Sequence, residues 1–464
     1  MRDPSAASPA SRGEAGSLPI LIIGAGPIGL AAAANAAVRG RAFVVVESGP
    51  HAGAAVTEWA HVRLFSAWRE LIDPVARELL EGSGTWVAPP SDDYPSGGEW
   101  RERYLEPLAE LLGSWVDGEV RYDTRVVGIG RANRDLLVDV GRSEDPFAVH
   151  VRTLAGEERL LASAVVDASG TWRQPNPLGA DGYPAFGERE QADRITYGTP
   201  DFADPATVAR YAGKHVALAG KGASAQGALV GLTRLAAEHP GTTVSWLLRR
   251  PAVHNAFGGG DNDQLEQRGR LGQAAKAAVS SGQVHTVTRF RTEALREQPD
   301  GRLTLISTDG REVTDVDEVI VVTGYRPDLS FLSEVRLDLD PALQSPRVLA
   351  DQIHPDHHSC GDVAPHGHRE LAQPEPGMYL VGMKSYGRAP SFLAMTGFEQ
   401  VRSVVAAIDG DLEAADRVDL VLPETGVCNG AGAFDGVTSG AVTGDCCGPS
   451  SEPELLTIGR LSGR

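Results

Sequence analysis

"LPILIIGAGPIGLAAAANAAVRGRAFVVVESG" runs from Leu18 to Gly49, and its reading decides the fold. Ile20 to Ile23 is an unbroken apolar run, the pattern of a parallel strand buried on both faces. Gly24-x-Gly26-x-x-Gly29 follows at once. Ala31 to Val38 reads as a helix closed by Gly40, and Phe43 to Val46 as a second strand ending in Glu47. Gly24 permits the tight turn out of the strand. Gly26 lets backbone N–H groups approach a pyrophosphate with no side chain between. Gly29 lets helix and strand pack closely. The helix N-terminus adds partial positive charge for phosphates. Glu47 stands 18 residues beyond Gly29, where a carboxylate accepts from ribose hydroxyls and would repel a 2′-phosphate. The spacing predicts a unit that binds FAD or NAD through Gly24, Gly26, Pro27, Gly29 and Glu47.

The plan recurs in "GKHVALAGKGASAQGALVGLTRLAAEHPGTTVSWLLRRP", Gly213 to Pro251. His215 to Ala219 reads as a strand and Gly220-x-Gly222-x-x-Ala225 as the turn, with Ala225 in the close-packing third place. A helix continues over Ala228 to Ala237, and Thr243 to Leu248 is the next strand. Here the strand ends in Arg249 and Arg250 instead of an acid. Two guanidiniums at a ribose position suit a 2′-phosphate, so this unit is expected to take NADPH through Gly220, Gly222, Ser224, Ala225, Arg249 and Arg250. Two dinucleotide units in one chain imply electron passage from nicotinamide to flavin.

The bulk composition agrees. At 464 residues the chain can build one large core or two ordinary ones. It is 42% hydrophobic and 23% charged, a globular balance. A net charge of −19 argues against nucleic acid and anionic membrane surfaces as partners. Four cysteines make no disulfide framework. Residues 1–17 read as a disordered leader without the apolar run of a signal peptide. Leu18 to Val38 carries no charge and has the length of a membrane span. Gly24, Gly26, Pro27 and Gly29 interrupt it, so strand, turn and helix explain it better. A cytoplasmic location is expected.

Further along, "VVDASGTW" (Val165 to Trp172) and "EVIVVTGYRPD" (Glu318 to Asp328) are apolar strands ending in small residues, and "SCGDVAPHG" (Ser359 to Gly367) holds a Gly361-Asp362 pair. With the two glycine turns, these resemble the two-dinucleotide-binding-domain flavoproteins, which include flavin-containing monooxygenases and thioredoxin-reductase-like enzymes. The resemblance covers about Leu18 to Gly410. It implies that the small residues at the strand ends mark where the chain crosses between the FAD and NADPH domains. It also implies that Gly361 and Asp362 reach the FAD ribitol and pyrophosphate. A narrower likeness lies in "EWAHVRLFSAWRELID" (Glu58 to Asp73), in His358 to Ala415, in "LPETGVC" (Leu422 to Cys428) and in the final "CCG" (Cys446 to Gly448). These are similar to actinobacterial flavoproteins associated with arsenic-resistance operons.

Two departures bear on the chemistry. The hydroxylating flavoproteins carry Phe-x-Gly-x-x-x-His between the glycine turns, whereas Val151 to Lys214 contains no histidine. Disulfide reductases need a dithiol near the flavin, whereas Cys360 is the only cysteine ahead of the C-terminal tail. That tail, Gly426 to Gly448, has seven glycines in 23 residues and holds Cys428, Cys446 and Cys447. Such a chain loses much entropy on ordering. Its thiols allow three readings: a dithiol electron shuttle, capture of a soft metalloid such as trivalent arsenic, or no role.

Several stretches offer further site residues. "HPDHHSCGDVAPHGH" (His354 to His368) has five histidines but no usual zinc spacing, so no metal site is expected. His358 and Cys360 are candidates for the substrate pocket. In "MKSYGRAPSF" (Met383 to Phe392), polar residues follow the apolar strand Met378 to Val381, which makes Lys384 and Tyr386 candidates for contacts near the isoalloxazine ring. A helix expected from Pro390 to Ile408 would aim its positive end at the flavin. Phe65 and Trp68 suit a partly polar pocket beside FAD. A last strand is expected at Val418 to Leu422.

The expected architecture is α/β with two Rossmann-like dinucleotide-binding domains. The FAD domain is split, 18–187 and 315–416, with the NADPH domain inserted at 188–314 and the tail at 417–464. The expected activity is an NADPH-dependent FAD monooxygenase that uses O2 on a soft nucleophile (trivalent arsenic, sulfur or nitrogen). The alternative is an NADPH-dependent disulfide or metalloid reductase working through the tail cysteines. A small-molecule substrate and a homodimer are compatible with either.

Overall fold

The computed structural model describes residues 18–253, 256–257, 263, 265–354, 363–390 and 392–420. Two five-stranded, all-parallel sheets organise it. In the first, the strand order is Met378–Leu380, Ala164–Asp167, Ile20–Ile23, Phe43–Val46, Gly118–Arg121. In the second it is Val284–Thr288, Thr243–Leu248, His215–Ala219, Glu318–Val321, Ile195–Tyr197. Each glycine turn leaves the central strand of its sheet. Each therefore sits where strand order reverses, the place where open parallel sheets leave a crevice for ligands. The mixed α/β class with two dinucleotide-type sheets is as the sequence predicts.

The two central strands are buried along their length: Ile20, Leu21, Ile22, Val216, Ala217 and Leu218 are all sealed from solvent. Helix α1 (Pro27–Val38) follows the first turn and α2 (Ala223–Glu238) the second. Both begin at the glycine turn, several residues before the expected starts, because Pro27 and Ala223 already have helical backbone. α1 is buried all round. Its run of alanines lets it lie close between the first sheet and helix α3 (Ala394–Ile408). Its one polar side chain, Asn35, donates to the Ala31 carbonyl at 2.9 Å. α3 starts at Ala394, four residues after the expected Pro390.

Two antiparallel three-stranded sheets flank the parallel ones, Arg125–Ala162 on the first and Thr292–Val316 on the second. Sheet membership corrects one expected boundary. Glu318–Val321 pairs with His215–Ala219 in the second sheet, although the sequence reading put it beyond residue 315 in the first unit. The run is buried throughout, with Glu318 paired to Arg210 and Lys214 and the rest apolar, and the open edge of His215–Ala219 supplies a partner. Residues 418–420 form no strand, and the rest of that expected element lies outside the described residues. Among the described residues, no helix is long and apolar enough to cross a membrane.

Candidate functional site

At the first turn, Gly24 has φ +100°, a conformation that L side chains rarely adopt. A Cβ there would stand 2.9 Å from the Ala168 carbonyl oxygen. A Cβ on Gly29 would meet the Gly24 carbonyl oxygen at 1.9 Å, so this glycine is what lets α1 close onto the turn. A Cβ on Gly26 would meet nothing within 4 Å. The space before it is open to a ligand. Pro27 begins α1 and needs no N–H there. Glu47 is oriented from both sides: Oε2 accepts from Ala25 N–H at 2.9 Å and Oε1 from Gly49 N–H at 2.8 Å.

The second turn repeats this geometry. Gly220 has φ +134°, and a Cβ would lie 2.4 Å from the Val322 carbonyl oxygen. Gly222, like Gly26, faces open space. Trp246 Nε1 donates to the Gly220 carbonyl at 2.8 Å and pins the turn. Ala225 is fully buried against the sheet, while Ser224 is exposed and stands off the cleft wall. Arg249 and Arg250 follow the strand Thr243–Leu248. Arg249 is exposed as a residue, yet the protein packed around its guanidinium pushes it below its ordinary value, and Arg250 and Arg291 add like charge. The third member of this cationic cluster, Arg291, comes from across the sheet and carries no motif that would have marked it.

Both turns open into one cleft of ≈ 830 Å³, within the range of roughly 300–1,000 Å³ typical of ligand sites. Gly24, Gly26, Pro27 and Glu47 line one stretch, and Lys221, Gly222 and Ala223 line another. Apolar and aromatic groups fill the walls between: Trp59, Leu64, Phe65, Trp100 and Phe392. The two chain crossings between the sheets contribute Trp172 and Tyr325, whose rings stack at 4.8 Å. Trp172 Nε1 donates to Glu58 at 2.8 Å. Burial, with Glu58 nearby, pushes the Tyr325 hydroxyl up to about 12. The positive end of α3 enters through Leu393, Ala394 and Thr396.

The structure separates the remaining expected residues. Phe65 lines the cleft, but Trp68 does not; it is buried in the core with Arg103 over its ring. Tyr386 lines the cleft, and burial raises its hydroxyl well above its ordinary value, so it stays neutral there. Lys384 turns the other way. It is fully buried, 2.5 Å from Asp167 and 3.1 Å from Ser169 Oγ, with its ammonium over the Phe331 ring. An ammonium taken out of water needs a carboxylate, and Asp167, at the end of the strand beside the central one, supplies it. Lys384 therefore props the wall formed by Ala168, Ser169 and Gly170 rather than facing the cleft. His358, Cys360, Gly361, Asp362, Cys428, Cys446 and Cys447 lie outside the described residues.

Two features escaped the sequence reading. Asp328 lines the cleft; burial raises its carboxyl, but hydrogen bonds from Ser330 together with Lys384 and Gln174 outweigh that and hold it below its ordinary value. Behind Tyr386, Gln400 Oε1 accepts from Gly382 N–H at 2.7 Å, which fixes the amide orientation. Its Nε2 then donates to Ser385 Oγ at 2.9 Å and to His366 Nε2 at 2.8 Å. His366 must accept there, so its proton is on Nδ1, facing the Ala364 carbonyl at 3.1 Å. Burial accordingly lowers the imidazole below its ordinary value. This network ties α3 to the loop that carries Tyr386.

Residues 19–171 match the FAD dependent oxidoreductase family. The matched segment contains the first glycine turn, Glu47 and the wall at Ala168–Gly170. The match and the fold support an oxidoreductase that works with FAD. No curated protein matches the chain. Among solved structures, the chain shares its fold with the bacillithiol disulfide reductase Bdr of Bacillus cereus, at 20% identity and a TM-score of 0.60, over 85% of this chain and 99% of that one. The cadaverine monooxygenase of desferrioxamine biosynthesis from Erwinia amylovora, solved with FAD bound, gives 14% identity and 0.58, over 88% and 98%. The thioredoxin reductase of T. acidophilum gives 15% and 0.53, over 85% and 98%.

Proposed function

We propose that the protein is an NADPH-dependent FAD oxidoreductase and that its reaction is the monooxygenation of a soft nucleophile, with trivalent arsenic, sulfur or nitrogen as the reacting atom. The observation that carries this reading is the single cleft reached by both glycine turns. FAD bound there would supply the two-electron chemistry, taking reducing equivalents from the nicotinamide and passing them on to O2.

The chain's own groups bind, orient and exclude water. The open space at Gly26 and the N-terminus of α1 suit a pyrophosphate, and Glu47, held by two backbone N–H groups, suits ribose hydroxyls. Gly222 and the N-terminus of α2 suit the second pyrophosphate, and the cluster Arg249, Arg250 and Arg291 suits a 2′-phosphate. Trp59, Phe65, Trp100 and Phe392 keep the cleft apolar. Tyr386 keeps a neutral hydroxyl within it. Gly361 and Asp362 remain candidate flavin contacts, and His358 and Cys360 candidate substrate contacts.

A second reading stands on a feature of the sequence, the adjacent Cys446 and Cys447. There the same cleft would serve a reductase that passes electrons to a disulfide or a metalloid through the tail. Oxygen uptake separates the two. NADPH oxidation that consumes O2 and yields an oxygenated arsenical, sulfide or amine supports the first. Anaerobic turnover with a disulfide, lost in Cys446→Ser, supports the second. A purified protein that is colourless and takes up no flavin on incubation overturns both. Coenzyme choice is tested separately: Arg250→Ala should raise KM for NADPH roughly tenfold while leaving that for NADH little changed.

A further inference from the structure

The second glycine turn carries a group that its motif does not explain. Gln226 lies on the first turn of the sixteen-residue helix α2, among the cleft-lining residues Lys221, Gly222 and Ala223. It is 5% exposed. Its Nε2 donates to the Ala256 carbonyl at 2.6 Å. A carbonyl can only accept, so the amide orientation is settled and Oε1 faces away from that bond. Oε1 is buried and has no hydrogen-bond partner. A buried acceptor left unmade costs about 1–3 kcal/mol, and a site that keeps one beside open space is shaped for a donor brought by a ligand.

The chemistry of that donor is restricted. The N-terminus of α2 with its open Gly222 favours an anion. A phosphodiester, fully ionised at neutral pH as in a dinucleotide's bridge, offers acceptors to those N–H groups and nothing to Oε1. The ligand must therefore present an anionic group and, within one helical turn of it, an O–H or N–H. Sulfate lacks the second feature, and so does a phosphodiester by itself. A nucleoside phosphate has it, in its ribose hydroxyls or in a carboxamide. Resting on the NADPH reading above, we infer that Gln226 is a binding residue of the second nucleotide site and that its Oε1 accepts a hydrogen bond from a ribose hydroxyl or the nicotinamide carboxamide. Through the Ala256 carbonyl, the same amide would couple the loop after Arg250 to coenzyme binding.

Calorimetry on the full-length, FAD-loaded protein tests this with three probes: NADP+, adenosine 2′,5′-bisphosphate and inorganic sulfate. Gln226→Met keeps the size of the side chain and removes the acceptor, and Gln226→Leu is read beside it in case the first variant holds less flavin. NADP+ should bind either variant about tenfold more weakly, the worth of one hydrogen bond to a buried group. Sulfate, which has no donor, should bind wild type and variants alike. If adenosine 2′,5′-bisphosphate weakens as NADP+ does, the donor is in the adenosine half; if it does not, the donor is in the nicotinamide half. Unchanged NADP+ affinity overturns the inference, as does an equal loss for NADP+ and sulfate, which would mean that Gln226 only shapes the turn. A wild type that binds sulfate but not NADP+ overturns the coenzyme reading itself, and this inference with it.

Discussion

Glu47 shows how much one residue contributes at the first glycine turn. Its two oxygens take N–H groups from the glycine turn and from the next loop, so the carboxylate is already in place before any ribose arrives. Glu47→Ala should weaken FAD retention by at least tenfold, read as flavin released on gel filtration; full retention would show that the turn alone suffices. Asp73 illustrates a different residue effect. It caps a short helix, accepting from Ala76 N–H at 2.9 Å, yet its burial pushes the carboxyl up to about 7. The folded state thus binds a proton that the unfolded chain releases near 4, so this contribution to stability is fully present below that unfolded value and is lost as pH rises through about 7. His366 has the opposite sign. Its folded value is lowered, so the unfolded chain takes the proton first and stability falls as pH drops below about 6.5. In wild type the two partly cancel. Asp73→Asn keeps the cap and removes one of them. On going from pH 8 to pH 5, wild type should gain roughly 2 kcal/mol relative to Asp73→Asn, measured by thermal melts; parallel curves would refute it.

At the scale of elements, the two glycine turns differ in how helix meets strand. At the first, the third motif position is Gly29, and a Cβ would overlap the Gly24 carbonyl. At the second, Ala225 already occupies that position, fully buried. Gly29→Ala should therefore displace α1, lower stability by about 1–3 kcal/mol and reduce flavin binding, whereas Ala225→Gly should cost about 1 kcal/mol through helix propensity and lost contact. Denaturant midpoints of both variants check the contrast, and similar losses would contradict it. This difference was legible in the sequence, because a strand, a turn with fixed glycines and a helix all act within thirty residues. So were the four strands flanking the two turns. The direction of Lys384 was not. Its sequence neighbours Met383 and Tyr386 do face the cleft, and only the arrival of Asp167 from a strand more than two hundred residues away shows that the ammonium must turn inward. Trp68, Asp328, Arg291 and the free acceptor of Gln226 were hidden for the same reason. Their surroundings are built by segments distant in the chain, and no local periodicity encodes them.

Over the whole molecule, closure of the first sheet depends on a strand that arrives late. Met378–Leu380 pairs with Ala164–Asp167 and leads directly into Gly382–Tyr386 on the cleft wall. Just before it, Glu375 meets Arg131 at 2.8 Å and Arg142 at 2.7 Å, and all three side chains are at most 4% exposed. The Arg131 guanidinium also lies over the Phe147 ring at 3.8 Å, and Arg142 donates to the Glu334 carbonyl at 2.8 Å. One carboxylate thus joins the antiparallel sheet Arg125–Ala162 to the segment that sets the register of the final strand. A buried triad of this kind adds little net stability over an apolar cluster of the same shape, but removing its central charge leaves two guanidiniums unpaired in a dry environment. Glu375→Gln should consequently cost about 3–5 kcal/mol in urea unfolding. Because the same segment carries Tyr386 to the cleft, bound flavin should be lost at lower urea than is needed to unfold the second sheet, whose core draws on Trp246, Leu229 and Ile320 and contains no part of the triad. Flavin fluorescence and Trp246 fluorescence, the latter read in a variant whose other tryptophans are replaced by phenylalanine, would show two separated transitions in Glu375→Gln. A single shared midpoint, or a loss below about 1 kcal/mol, would mean that water reaches the guanidiniums and that the triad does not govern how the sheet closes.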